Sequence, residues 1–458
     1  MVYFMLPQRG RWAWLLGASC YFYMYFIPMF ILVLAFSILI DYAAGLLMEN
    51  DPARKKFWLV ISLAANCSVL FVFKYVDFLD SGFGELTRFL GWNLSLPLLK
   101  LMLPIGLSFH TFQAMAYTIE VYRGHQPAER HLGIYALYVM FFPQLVAGPI
   151  ERPQNLLPQF RKNLLFEPAK VVSGLRLILW GTFKKVVIAD RLSEFVDHAY
   201  GNPTVQPPLS LILATALFAF QIYYDFSGYT DIARGSARVM GFELMENFNM
   251  PYFSTSMTEF WRRWNISLST WFRDYVYVPL GGSQRGLRKT IRNLFIVFLL
   301  SGIWHGAKMT FVIWGFLHFI YVATEKYYFT KHLSRPALTS PLARGLRILR
   351  TFILSMIAWV FFRADSVTSA LQILEQFLFV HTLGQRETFF AIRNFTGLMP
   401  TLALLTLTLS GEFIWQQSGT EHFLSLPKSV RWSVYYLLII SIFSFGVFNK
   451  TPFIYFQF

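Results

Sequence analysis

Apolar runs follow one another along nearly the whole chain, and that succession fixes the class of fold before any single residue is considered. A bilayer's hydrocarbon core takes about 20 apolar residues of helix. The runs at residues 12–26 and 29–48, separated at Pro28, approach that length, and apolar runs recur at 57–75, 98–119, 132–145, 209–226, 311–323, 351–362, 398–415 and 432–448. In lipid the backbone must satisfy its own hydrogen bonds, which makes such segments helices. The sequence therefore predicts an all-α polytopic membrane protein of about ten or eleven transmembrane helices with further amphipathic or re-entrant ones. They form one domain over residues 1–458. With 55% hydrophobic and only 14% charged residues, the chain has too little polar surface for a water-soluble globule.

The formal charge of +15 would suggest a polyanion partner in a soluble protein. Here the basic residues lie in short loops between apolar runs, which positive-inside topology explains without nucleic acid. Arg54-Lys55-Lys56 and the basic stretch 331–350 are expected in the cytoplasm, and the connection 77–91, with Asp77, Asp80 and Glu85 against Arg88, outside. Cys20 and Cys67 both lie in apolar segments without a CxxC neighbour and read as small buried hydrophobes. No cleavable signal peptide is evident. Residues 1–7 look like the tail of an apolar segment whose beginning is missing: either the true start lies upstream or the first helix is absent.

Polar groups inside apolar sequence carry the functional argument, because an ionisable side chain at membrane depth is costly and faces a protein interior or a wet cavity. Ser301-Gly302-Ile303-Trp304-His305-Gly306 places an imidazole between two apolar runs, with glycines that suit a tight bend or a close approach to a ligand. The pattern alone is equally consistent with a packed histidine bonded to a carbonyl and with a catalytic one. His318 follows thirteen residues later. That is about 220° around an ideal helix, so the two would not share a face of one continuous helix. Segment 98–119 carries Ser108, His110, Thr111 and Gln113, more than a lipid-exposed helix tolerates, and is expected inside the bundle.

The glycine- and proline-rich stretch 147–153 predicts a bend. Arg176, Lys184 and Lys185 interrupt the apolar run 171–189, which suits either an interfacial helix or a short one with snorkelling basic residues. Asp225 and Asp231 resemble a metal pair but lack a third ligand, so capping or pairing with Arg234 or Arg238 is the favoured reading, and no metal is expected. Residues 260–274 interleave aromatic and charged side chains as an amphipathic element would. Pro279-Leu280-Gly281-Gly282-Ser283 closes it. Arg285, Arg288, Lys289 and Arg292 then suit either the phosphates of a nucleotide-type donor or a cytoplasmic loop.

Several motifs in order carry a family resemblance: Phe142-Pro143-Gln144-Leu145-Val146-Ala147-Gly148-Pro149-Ile150, Tyr224-Asp225-Phe226-Ser227-Gly228-Tyr229 with Asp231-Ile232-Ala233, and Glu246-Asn247-Phe248-Asn249. To these add Phe260-Trp261-Arg262-Arg263-Trp264, the His305 motif, Phe361-Phe362-Arg363-Ala364 and the terminal Pro452-Phe453-Ile454-Tyr455-Phe456-Gln457-Phe458. Over nearly its whole length the chain resembles the membrane-bound O-acyltransferases, in the bacterial branch that includes the alginate O-acetylation membrane protein and its peptidoglycan and cellulose relatives. Two features depart from the pattern. Many bacterial members carry histidine where this chain has Asn265, as other branches of the superfamily carry asparagine, and relatives begin with an additional apolar segment.

The resemblance implies a ring of helices around a central funnel with a thin pore, in a bacterial inner (cytoplasmic) membrane. It implies transfer of an acyl group, acetyl for this branch, to a hydroxyl from acetyl-CoA or another acyl thioester, with no bound cofactor. His305 matches the family's essential histidine and would serve as general base. Asn265 would hydrogen-bond the carbonyl oxygen, its other reading being a buried polar cap. Trp304, His318, Asp225, His110, Arg285 and Arg288 are the candidates for binding substrate or donor. An extracytoplasmic acetyltransferase is the expected protein partner and a polysaccharide the acceptor. Two rival readings are D-alanyl transfer to teichoic acid from a carrier-protein thioester, and a transporter or channel using the intramembrane polar residues as a relay.

Overall fold

Every regular element of the computed structural model is helical among the residues it describes, which are 2–89, 104–331, 340–378, 398–418, 425–448 and 453–454. In chain order the helices are α1 (Val2–Met5), α2 (Gln8–Met24), α3 (Phe30–Asn50), α4 (Lys55–Phe89), α5 (Leu107–Arg123), α6 (Leu132–Met140), α7 (Pro153–Arg161), α8 (Pro168–Thr182) and α9 (Asp190–Gly201). They continue as α10 (Pro208–Val239), α11 (Met257–Arg263), α12 (Ile266–Phe272), α13 (Leu287–His305), α14 (Met309–Lys331), α15 (Pro341–Arg363), α16 (Val367–Gln376), α17 (Leu398–Ser418) and α18 (Lys428–Phe445). Two compact units emerge, Met1–Leu175 with Ala233–Met245 and Arg176–Ile232 with Glu246–Phe458, so two boundaries fall inside α8 and α10 and the third in the link that follows α10.

Among the described residues four segments are long and apolar enough to cross a bilayer: α3, Pro52–Val76, α10 and α15. α5 buries His110, Thr111, Gln113 and Glu120, in line with the expectation for its segment.

Two expected boundaries move. No proline stands between Pro52 and Pro97, and α4 runs on to Phe89 through most of the expected connection at 77–91. The side chains of Asp77, Asp80, Glu85 and Arg88 lie outside the described residues. The expected basic loop 331–350 is partly helix, because Ser340 accepts from the Ala343 N–H and Pro341 opens α15. Residues 98–103 and 332–339 lie outside the described ones, as does the terminal motif apart from Phe453 and Ile454.

In the first unit a buried polar cluster ties α3, α4 and α5 together. Ser62 Oγ lies 2.6 Å from Asp41 Oδ1 and 3.0 Å from Thr118 Oγ1, and Asn66 Nδ2 donates to both Asp41 oxygens at 2.8 and 2.9 Å. α6 stops at Met140, and the chain stays non-helical until Pro153 opens α7, as the proline and glycine spacing predicts. Tyr138 Oη pins that link by donating to the Glu151 carbonyl at 2.8 Å. Gly106 has φ 74°, and a Cβ there would lie 2.5 Å from the Leu145 carbonyl oxygen, so both conformation and space demand glycine.

In the second unit α8 passes into a π-wound turn, Phe183–Ala189, that carries Lys184 and Lys185. These lysines do not snorkel. Lys184 is buried and pairs with Asp231 at 2.6 Å, and Lys185 pairs with Asp190 at 2.7 Å and Asp225 at 2.8 Å. The expected arginine pairing is corrected at Arg238, which is committed to Glu243 in the first unit. The lysine assignments follow from burial: a carboxylate and an ammonium removed from water together must satisfy each other. Gly181 permits the approach, since a Cβ there would lie 2.5 Å from the Gly228 carbonyl.

Candidate active site

α13 ends on His305, and α14 starts at Met309 and packs back against it. The glycines flanking the motif serve close packing and no left-handed turn. A Cβ on Gly302 would lie 2.5 Å from the Phe311 carbonyl oxygen, one on Gly306 2.5 Å from the Phe311 ring, and one on Gly315 of α14 2.4 Å from the Phe298 carbonyl. Small residues at such crossings let membrane helices touch backbone to backbone.

His305 is 6% exposed. Its ring stands edge to face with Trp314 at 4.8 Å and 83° and with Phe362 at 5.1 Å and 78°, with Trp304 at 4.7 Å and Phe311 at 6.3 Å. The 220° separation from His318 does not apply, because the chain breaks at Gly306 and the helix does not continue. Both histidines instead pack on the Trp314 indole, each with ring centroids 4.8 Å away.

His318 is fully buried, and Trp261 Nε1 donates to its Nδ1 at 3.3 Å. An indole N–H can only donate, so a neutral His318 ring carries its hydrogen on Nε2. Thr310, Trp314 and His318 fall four residues apart on one stripe of α14. Thr310 Oγ1, Trp314 Nε1 and His318 Nε2 are all buried with no hydrogen bond among the described residues.

Asn265 opens α12 in left-handed conformation at φ 41°, ψ 58°. Its side chain is 1% exposed, and neither end of the carboxamide makes a hydrogen bond among the described residues. The cap reading is thereby corrected: Asn265 occupies the cap position but makes no cap bond, and the Asn247 Oδ1 takes the Ser267 N–H at 3.2 Å instead. The expected continuous amphipathic element at 260–274 breaks at Trp264-Asn265 into α11 and α12, with a π-wound turn at Arg273–Tyr277. Trp264 lies 5.0 Å from Trp359, Trp359 5.3 Å from Phe362, and Phe362 5.1 Å from His305. His305, Trp304, His318 and the neighbour of Asn265 thus share one aromatic cluster.

The remaining candidates are elsewhere. His110 belongs to α5 in the first unit, buried, with neither ring nitrogen hydrogen-bonded among the described residues. Asp225 is held by Lys185 and by the Ile454 N–H at 2.7 Å, which commits it to the fold and not to substrate. Arg285 and Arg288 are exposed at the head of α13 and form no ion pair among the described residues. Seventeen residues of helix put Arg288 about 25 Å from His305 along the axis.

Asn247, Trp261 and Trp359 were not singled out from sequence. The first two stood within recognised motifs, which marked the segments without saying which side chain mattered.

The sequence profile of the membrane-bound O-acyltransferase family matches residues 123–365. The chain is 38% identical over 415 residues to a probable alginate O-acetylase (AlgI) of Pseudomonas aeruginosa, covering 89% of this chain and 77% of that protein. It is 37% identical over 391 residues to the peptidoglycan O-acetyltransferase of Helicobacter pylori, covering 79% and 72%. The teichoic acid D-alanyltransferase of Bacillus subtilis is more distant, 28% identical over 234 residues, covering 49% and 59%. The matched stretch contains both His305 and Asn265, and the chain belongs to the membrane-bound O-acyltransferase family as a membrane-embedded O-acyltransferase.

Proposed function

We propose that this protein moves an acetyl group from a cytoplasmic thioester across a bacterial inner membrane for O-acetylation of an extracytoplasmic polysaccharide. One observation carries the reading: an imidazole buried among four aromatic rings at a helix end, on an aromatic cluster that also holds Trp264, the residue before an unbonded, buried asparagine. To act as a base His305 must be neutral. It takes the proton of the incoming hydroxyl while that oxygen attacks the thioester carbonyl carbon. The Asn265 Nδ2–H bonds the carbonyl oxygen as negative charge builds. The C–S bond then breaks, and the imidazolium returns its proton to the departing thiolate, so the cycle consumes no proton.

Acetyl-CoA or another acyl thioester is the donor in this reading. Arg285 and Arg288 would meet its phosphates at the far end of α13, which requires a long, thin arm to reach His305. An extracytoplasmic acetyltransferase would take the acetyl group onward to the polymer. The more distant likeness to a D-alanyltransferase gives the rival acyl group. The test is incorporation of labelled acetate against labelled D-alanine into envelope polymers, by cells with and without the protein. Acetate incorporation that His305→Ala abolishes, with normal membrane insertion, is expected. D-alanine incorporation, or acetylation that survives His305→Ala, overturns the proposal.

A further inference from the structure

We propose that Asn247 is a positioning residue for acyl transfer: it caps α12 in place of Asn265 and leaves the Asn265 carboxamide for the acyl carbonyl. This rests on the role given to Asn265 above. The first N–H groups of a helix have no partner within it, and the residue at the cap position ordinarily supplies an oxygen, asparagine being among the best suited. Asn265 stands there and does not bond them. Asn247, eighteen residues earlier, accepts two of them: its backbone carbonyl takes the Ile266 N–H at 2.9 Å, and its Oδ1 takes the Ser267 N–H at 3.2 Å.

The grip is two-sided. On the other flank of Asn265 the Asn249 N–H donates to the Arg263 carbonyl at 3.0 Å, so the segment is held two residues before and directly after the left-handed residue. Left-handed backbone is unfavourable for an L-residue and persists only where the surroundings impose it. Asn247 is itself 1% exposed, and its Nδ2 has no hydrogen bond among the described residues. Its acceptor atoms are thus used and its donor is idle, which makes the oxygen the working end. The motif Glu246-Asn247-Phe248-Asn249 and the break at Trp264-Asn265 are two halves of one clasp.

The experiment uses the full chain in inverted membrane vesicles, with labelled acetyl-CoA as probe at a series of concentrations and rates normalised to folded protein. Loss of a donor to the developing oxyanion costs about 10²- to 10³-fold in kcat, the drop expected for Asn265→Ala. Asn247→Ala is expected to lower kcat by about 10- to 100-fold with KM unchanged, and Asn247→Asp, which keeps a capping oxygen, to stay within about threefold of wild type. The double variant should be no more than about twofold slower than Asn265→Ala alone, since residues acting through one another are not additive. A merely structural Asn247 would lower folded protein equally in both backgrounds and leave kcat per folded molecule unmoved, which overturns the proposal. So does a double variant slowed by the product of the two single effects, or Asn247→Ala at the wild-type rate beside an inactive His305→Ala. A His305→Ala variant that still transfers acetyl sinks instead the catalytic reading on which the proposal stands.

Discussion

Gly315→Ala puts one methyl group between α13 and α14, and the consequence can be worked out. The added Cβ would lie 2.4 Å from the Phe298 carbonyl oxygen and 3.3 Å from the Gly302 Cα, both backbone of α13. Ordinary contact needs about 3.5 Å, so α14 must back away by about 1 Å. Trp314 is the adjacent residue, and its ring stands 4.8 Å from His305. The displacement therefore falls on the wall that orients the imidazole. Overpacking of this kind costs about 1–3 kcal/mol, and a 1 Å misplacement of reacting groups about 10²-fold in rate.

Gly345→Ala in α15 is the control, because nothing lies within 4 Å of a Cβ there. It should stabilise by about 0.4–1 kcal/mol through the unfolded chain and leave the rate alone. Thermal unfolding of the solubilised protein and transfer from labelled acetyl-CoA in vesicles measure both quantities. Gly315→Ala with wild-type stability and rate would refute the claim that the glycine contact sets the site.

Two further substitutions probe the interior. Lys184→Met removes the ammonium that holds Asp231 at 2.6 Å in a buried pair, and should destabilise the protein by about 3–5 kcal/mol. Lys184→Met with Asp231→Leu should recover most of that; thermal unfolding of the two variants decides, and equal loss in both would show that the pair is not the unit. Trp261→Phe removes the donor to His318 Nδ1 and releases the ring's tautomer. Nitrogen-15 spectra of histidine-labelled protein should show His318 protonated at Nε2 in the wild type and a mixture in the variant, and the opposite wild-type tautomer would sink the assignment.

Membrane character, the all-helical class, the bend after Met140 and the isolation of His305 were readable in sequence, because each depends on local composition. Apolar length, proline and glycine placement and a lone imidazole are written residue by residue. What escaped depends on partners far apart in the chain. Lys184 and Lys185 looked like interfacial residues because a helix's own sequence does not say that Asp225 and Asp231 stand opposite. A cap stood as the second reading of Asn265 because the oxygen that takes the Ser267 N–H belongs to Asn247, eighteen residues upstream. His318 looked badly placed because an angle computed along one helix loses its meaning once the helix breaks at Gly306.

Left-handed non-glycine residues and unbonded polar atoms fall in the stretch that carries the proposed site. A chain folds when local preference, packing and polar satisfaction agree, and departures concentrate where something other than stability is being selected. Here the left-handed non-glycine residues among the described ones are Met250, directly after the first half of the clasp, and Asn265 in its second half. Asn247, Asn265, Thr310, Trp314 and His318 each bury a polar atom with no hydrogen bond among the described residues. A buried group left unbonded costs about 1–3 kcal/mol. A membrane protein built only to stand in lipid would fill these positions with leucine and alanine. Within residues 247–318 seven residues bury such an atom, Ser254 and Trp304 being the other two, and in the proposed reaction the acyl carbonyl oxygen would complete that of Asn265.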